Sequence, residues 1–173
     1  VGLLGILIFF MSFAGDGEMI ELTFSHFASS HGAFDVLFVK IAFILLLVGI
    51  GTKVGLVPVH NWLPDAHGET PAPISAMLSG VLLSVALIFL VRFKFIVDGL
   101  LGDASWTNML FITFGTASVL YAALLMVNQK NYKRLLAYSS IEHMGITLFG
   151  FALGPIGAVA SVLHIVGHAI LKP

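Results

Sequence analysis

The sequence predicts an all-α polytopic membrane protein, about five to six transmembrane helices of a larger bundle, with one helix interrupted near Lys53–Pro58. Three observations carry that prediction. First, 58% of the 173 residues are hydrophobic and only 10% are charged, with a mean hydropathy of +1.04. A soluble domain carries about 25% charged residues, so this surface suits lipid rather than water. Second, apolar runs near the roughly 20 residues needed to cross a hydrocarbon core alternate with short polar connections. Third, Gly49, Gly51, Gly55 and Pro58 bracket Lys53 at the end of one such run, and these residues loosen a membrane helix where it carries a charge.

In chain order, residues 1–14 read as the last part of a membrane helix. A polar connection, 15–33, comes next with Asp16, Glu18, Glu21, His26 and His31. The second span runs from Phe34 to about Val57, with Asp35 and Lys40 near its start and Lys53 near its end. Residues 59–71 are polar and turn-rich. The third span runs from Pro73 to about Val91 and is closed by Arg92 and Lys94. Trp106 anchors the start of a fourth that reaches about Val127. After the basic 128–134 connection, a fifth covers Leu135–Leu153, and Gly154-Pro155 turns into a sixth that starts at Ile156. The sequence opens without methionine and closes within an apolar run, so residues 1–173 read as one internal piece of a single membrane domain. It shows no internal repeat.

Lys130, Lys133 and Arg134 crowd one connection, and counting alternate sides puts 59–71 on the same face. The positive-inside tendency places both loops in the cytoplasm of a multi-pass protein of the cell inner membrane. A net charge of −1 provides no basic patch for nucleic acid. With no cysteine, no disulfide, cysteine-ligated cluster or cysteine-ligated zinc is available, so no cofactor is expected in this chain. Any redox chemistry then belongs to other subunits.

Three groups of residues carry candidate chemistry. Burial disfavours an ammonium, which makes Lys53 a candidate proton carrier; the competing reading is a lysine that snorkels toward the interface near His60 and Asn61. His164, His168 and Lys172 recur at i, i+4, i+8 and share one helical face, as a proton relay requires. Histidines four apart also suit zinc, but no HExxH pattern or further ligand accompanies them, so no metal is assigned. Glu142-His143 lies within the fifth span, where the carboxylate compensates a buried lysine, relays protons, or sits near the headgroups. His60, Asp65, His67 and Glu69 suit a proton entry, but solvated loop residues explain them equally well.

Three runs carry a resemblance: Gly51-Thr52-Lys53-Val54-Gly55-Leu56-Val57-Pro58-Val59-His60-Asn61-Trp62-Leu63-Pro64-Asp65-Ala66-His67, Ser75-Ala76-Met77-Leu78-Ser79-Gly80, and Tyr132-Lys133-Arg134 through Ser139-Ser140-Ile141-Glu142-His143-Met144-Gly145. They resemble the proton-translocating, antiporter-like membrane subunits of complex I, Mrp antiporters and membrane-bound hydrogenases. The Ser-Ser-Ile-Glu-His form is most similar to the hydrogenase-4 component F branch. The resemblance implies a core of about fourteen helices in two inverted repeats, this chain holding most of the first repeat and the start of the region after it. It implies Lys53 on the interrupted helix, paired with a glutamate two helices upstream of this piece. It implies a relay from Lys53 through a next-helix residue and histidines like His164 and His168 to a lysine like Lys172. At the next-helix position this sequence has Ser84 (or Ser79), a hydroxyl that binds water but holds no charge at neutral pH.

The leading expectation is a proton-translocating subunit working with other membrane subunits and peripheral metal-cluster subunits. A Mrp-type sodium/proton antiporter subunit without a redox partner is the alternative. A structural module that has lost conduction is the third, motivated by the serine.

Overall fold

The computed structural model describes residues 1–12 and 35–172, and every described element is helical. The polar connection 15–33, with Asp16, Glu18, Glu21, His26 and His31, lies outside the described residues.

Helix α1, Gly2–Met11, packs along α2, Val36–Val54. Asp35 caps α2 by accepting from the Leu37 N–H at 2.8 Å. Val39, Ala42, Phe43, Leu46, Leu47, Gly51 and Val54 form its buried face, at the three- and four-residue spacing of one helical stripe. Gly55 ends α2 at φ 80°, a left-handed conformation that a side chain would strain. The helix ends at Gly55, with Pro58 in the turn that follows, while Gly51, also expected at the break, stays within the helix on its buried face; the Val57–Pro58 peptide is cis.

The 59–71 stretch is more ordered than its turn residues suggest. It contains α3, Trp62–Glu69, with Pro64 in the first turn, where its missing N–H costs no helical bond. Next comes one continuous helical run, Ala72–Leu101: α4 (Ala72–Met77), a π turn (Leu78–Leu82) and α5 (Leu83–Leu101).

This run corrects the sequence reading, which closed the third span at Arg92 and Lys94. The helix continues past both to Leu101, where Gly102 caps it at φ 66°. Lys94 lies within the helix and pairs with Asp98, one turn on, at 2.5 Å. Asp98 also accepts from Thr107 of the next helix.

Helix α6, Ser105–Met126, and α7, Tyr132–Ala152, cross closely at Gly115 and Gly145. A Cβ on Gly115 would lie 2.8 Å from the Gly145 carbonyl oxygen, so neither position has room for a side chain. Asn131 caps α7 through the Lys133 N–H, and Gly154-Pro155 turns the chain into α8, Pro155–Leu171.

The runs Val36–Val54, Ala72–Leu101 and Ser105–Met126 are long and apolar enough to cross a membrane. Helix α7 has 21 residues, but Ser139, Ser140, Glu142, His143 and Thr147 dilute its apolar character. α1 and α8 are apolar and shorter. The chain is an all-α polytopic membrane fold.

Candidate functional site

His143 and Thr147 of α7 face α8. His143 and Thr147 lie one turn apart on α7, and Thr147's carbonyl accepts from Ser161 of α8 at 2.9 Å. That register brings His143 opposite His164, with Nδ1 of one ring 2.9 Å from Nε2 of the other. His168, one turn further along α8, stands with its ring centroid 5.4 Å from that of His143. Lys172 lies another turn on and donates to the Leu136 carbonyl at 3.2 Å.

His143, His164, His168 and Lys172 thus line one cleft of about 310 Å³ between α7 and α8. His168 is only 5% exposed, and neither of its ring nitrogens has a hydrogen-bond partner among the described residues. The sequence predicted the α8 face of this cluster; it did not single out His143 over Glu142. Glu142 is half-buried and makes no ion pair or hydrogen bond among the described residues. Neutral imidazoles that share a hydrogen bond can take a proton at one nitrogen and release one from the other.

Lys172 also reaches a second, smaller cavity of about 50 Å³, which it lines with His67, Ser75, Ser79, Lys133, Leu136 and Ser140. Ser79 leaves the helix row at the π turn and meets Ser140 of α7 at 3.1 Å. His67 Nδ1 bonds Ser75. Burial, and then the nearby Lys172 ammonium, push the His67 imidazole below its ordinary value. Burial likewise lowers His60 of the break, against a backbone bond at Pro58 that raises it. Ser84, the other relay candidate, is 6% exposed, and its hydroxyl has no partner among the described residues.

Lys53 stands apart from this cluster. The sequence left open whether it is buried or snorkels toward the interface; the structure leaves its side chain exposed, without a hydrogen bond or ion pair among the described residues. The reason is rotational: Gly51 and Val54 hold the buried stripe of α2, and Lys53 projects off it. The 59–71 and 128–134 connections share one end of the bundle. Asp65 accepts from Arg134 at 2.7 Å, and Lys133 donates to the Thr70 carbonyl at 3.1 Å. Among the described residues no group of three or more His, Cys, Asp or Glu has the geometry to hold a metal ion.

Comparison with known proteins agrees with this architecture. The family model for the membrane region of NADH:quinone oxidoreductase and Mrp antiporters matches residues 2–173. A hydrogenase-4 component F homolog from Methylacidiphilum infernorum (isolate V4) is 50% identical over 147 residues, covering 83% of this chain and 30% of the relative. The NAD(P)H-quinone oxidoreductase chain 4 of Prochlorococcus marinus (strain NATL2A) is 37% identical over 163 residues, 93% of this chain and 29% of that protein. The chain therefore spans about a third of the length of these relatives. Among solved structures, a chain of the membrane-bound sulfane sulfur reductase, an archaeal respiratory membrane complex, superposes with a TM-score of 0.86 at 29% identity over 98% of this chain and 34% of that one. A chain of the Mrp complex from Dietzia sp. DQ12-45-1b superposes with a TM-score of 0.79 at 26% identity, over 99% of this chain and 32% of its own. By sequence and by fold, the chain belongs to the NADH:quinone oxidoreductase/Mrp antiporter membrane family.

Proposed function

We propose that this chain is part of a proton-translocating subunit of a hydrogenase-4-like or complex I-like oxidoreductase complex. The observation that carries the reading is the convergence of His143, His164, His168 and Lys172 on one cleft inside a membrane bundle. Ionisable groups at membrane depth are costly, and four on one cleft exceed what packing requires. In this reading a proton passes between His168 and the His143–His164 pair and on to Lys172, while the Ser79 and Ser140 hydroxyls, which hold no charge themselves, line the cavity that Lys172 reaches. Lys53, Glu142, Ser84 and the break at Gly51, Gly55 and Pro58 belong to the same path, with Lys53 at the half that other helices of the longer protein cover.

In this reading the redox reaction occurs on peripheral metal-cluster subunits, and this chain carries no cofactor. The 59–71 and 128–134 loops face the cytoplasm of the cell inner membrane. The 50% identity to a hydrogenase-4 component F homolog favours the redox-coupled assembly. The similarity to the Mrp complex supports the second reading, a sodium/proton antiporter subunit without a redox partner.

The test is proton movement by the complete complex in sealed vesicles, with Lys53→Ala alongside wild type. Redox-driven acidification that is lost in Lys53→Ala supports the proposal. Sodium-driven proton exchange without any redox subunit in the purified complex supports the second reading. Unimpaired acidification by Lys53→Ala removes Lys53 from the path.

A further inference from the structure

The break after Lys53 meets most of its backbone needs itself. The Gly55 N–H donates to Thr52 at 3.3 Å, Leu56 to Gly51 at 2.8 Å, and Val59 to Leu56 at 2.8 Å, while Pro58 has no N–H. Val57 is the exception. Its N–H leaves the segment and donates across the bundle to Ser118 Oγ of α6 at 3.0 Å.

Ser118 is fully buried. Its own hydroxyl proton goes to the Phe114 carbonyl at 2.7 Å, which turns the oxygen's free lone pairs toward Val57. The contact also lies where α6 and α7 press together: a Cβ on Gly145 would sit 3.0 Å from Ser118 Cβ. One hydroxyl therefore joins the Lys53-bearing break to the helix crossing that carries His143.

We infer that Ser118 is a positioning residue: its hydroxyl fixes the broken end of α2, and with it Lys53, against α6 and α7. This rests on the proton-translocation reading for its functional consequence, though not for its geometry. Ser118 is fully buried, so loss of its hydroxyl leaves the Val57 N–H without an acceptor on that side, and the break either moves or hydrates. In both cases Lys53 loses its fixed place relative to the α7–α8 cleft.

Thr113, on the same helix, provides the control. Its hydroxyl bonds only its own helix, to the Met109 carbonyl at 2.7 Å, and the residue is exposed. Val59→Cys places a thiol at the break, and its labelling is read on the peptide that contains residue 59. The experiment uses the full-length subunit in its assembled complex, in sealed vesicles. It compares wild type, Ser118→Ala and Thr113→Ala for protons moved per turnover of the driving reaction, and for the rate of maleimide labelling at Val59→Cys.

Ser118→Ala is expected to lower protons per turnover at least fivefold, with the driving reaction and assembly retained, and to speed labelling at least threefold. Thr113→Ala is expected to stay within twofold of wild type in both. A Ser118→Ala complex that translocates like wild type, or that labels at the wild-type rate, overturns the inference. If wild type moves no protons, the proposed function falls by itself. Labelling then still decides the clamp: faster in Ser118→Ala upholds it, unchanged removes it.

Discussion

Two lysines in this bundle lie at opposite ends, and their surroundings differ in kind. Lys94 is 2% exposed, holds Asp98 at 2.5 Å and lies over the Phe111 ring at 5.7 Å. Its positive charge is neutralised one turn away, and Asp98 passes the connection on to Thr107 of α6. Lys172 has no carboxylate at ion-pair distance among the described residues. It meets a carbonyl oxygen, three histidines that line the same cleft, and the serine-lined cavity beyond. A buried charge with a bonded counter-charge fixes two helices together. A lysine beside three histidines, with no bonded counter-charge among the described residues, is the arrangement on which the proposed proton path rests.

The largest structural effect is expected at the neutralised end. Lys94→Met leaves Asp98 without its ion-pair partner in a largely buried site, where removing one partner costs about 3–5 kcal/mol. The expected result is a lower unfolding temperature of the subunit in detergent, with most of the loss recovered in Lys94→Met/Asp98→Leu. If the double variant is as unstable as the single one, the pair does more than hold α5 to α6.

A smaller effect separates the histidine of the second cavity. His67 is lowered from its ordinary value of 6.5, so the folded state stays neutral while the unfolded chain takes up a proton. Stability from this group is therefore whole above 6.5 and declines as pH falls from 6.5 toward the lowered folded value. His67→Gln is expected to flatten that part of the stability–pH curve. An unchanged slope contradicts the assignment.

The smallest effect belongs to Arg134 and Asp65, whose side chains are 43% and 70% exposed. Surface pairs of this kind contribute about 0–1 kcal/mol, and salt screens them. Arg134→Gln is expected to change thermal stability within that range. A larger loss would mean that α3 depends on this contact to cover the Lys172 cavity.

The legible parts of the fold were those written in local pattern. Gly55 and Pro58 mark the break, and Gly154-Pro155 marks the last turn. The end of the third span was misread because Arg92 and Lys94 look like interface charges until Asp98 is seen to bond Lys94. α3 was hidden because Pro64, Gly68 and Pro71 read as turns, while Pro64 occupies a position in the first helical turn that tolerates proline.

At the site, His164, His168 and Lys172 were legible from their four-residue spacing on one helix. The partnership of His143 with His164 and of Ser79 with Ser140 was not, since each joins different helices and only packing sets that register. Nor was the turn of Lys53 away from the buried stripe of α2, because a glycine-rich run gives the stripe little hydrophobic contrast.

The central claim is that the cleft between α7 and α8 carries protons, and His168 is its most buried member, with both ring nitrogens awaiting partners. The direct measurement is vesicle acidification by the complete complex with His168→Asn, which keeps a polar side chain of smaller size but cannot exchange a proton near neutral pH. The account predicts at least a tenfold fall in protons moved per turnover, with the complex assembled in normal amount. Acidification within twofold of wild type would contradict it.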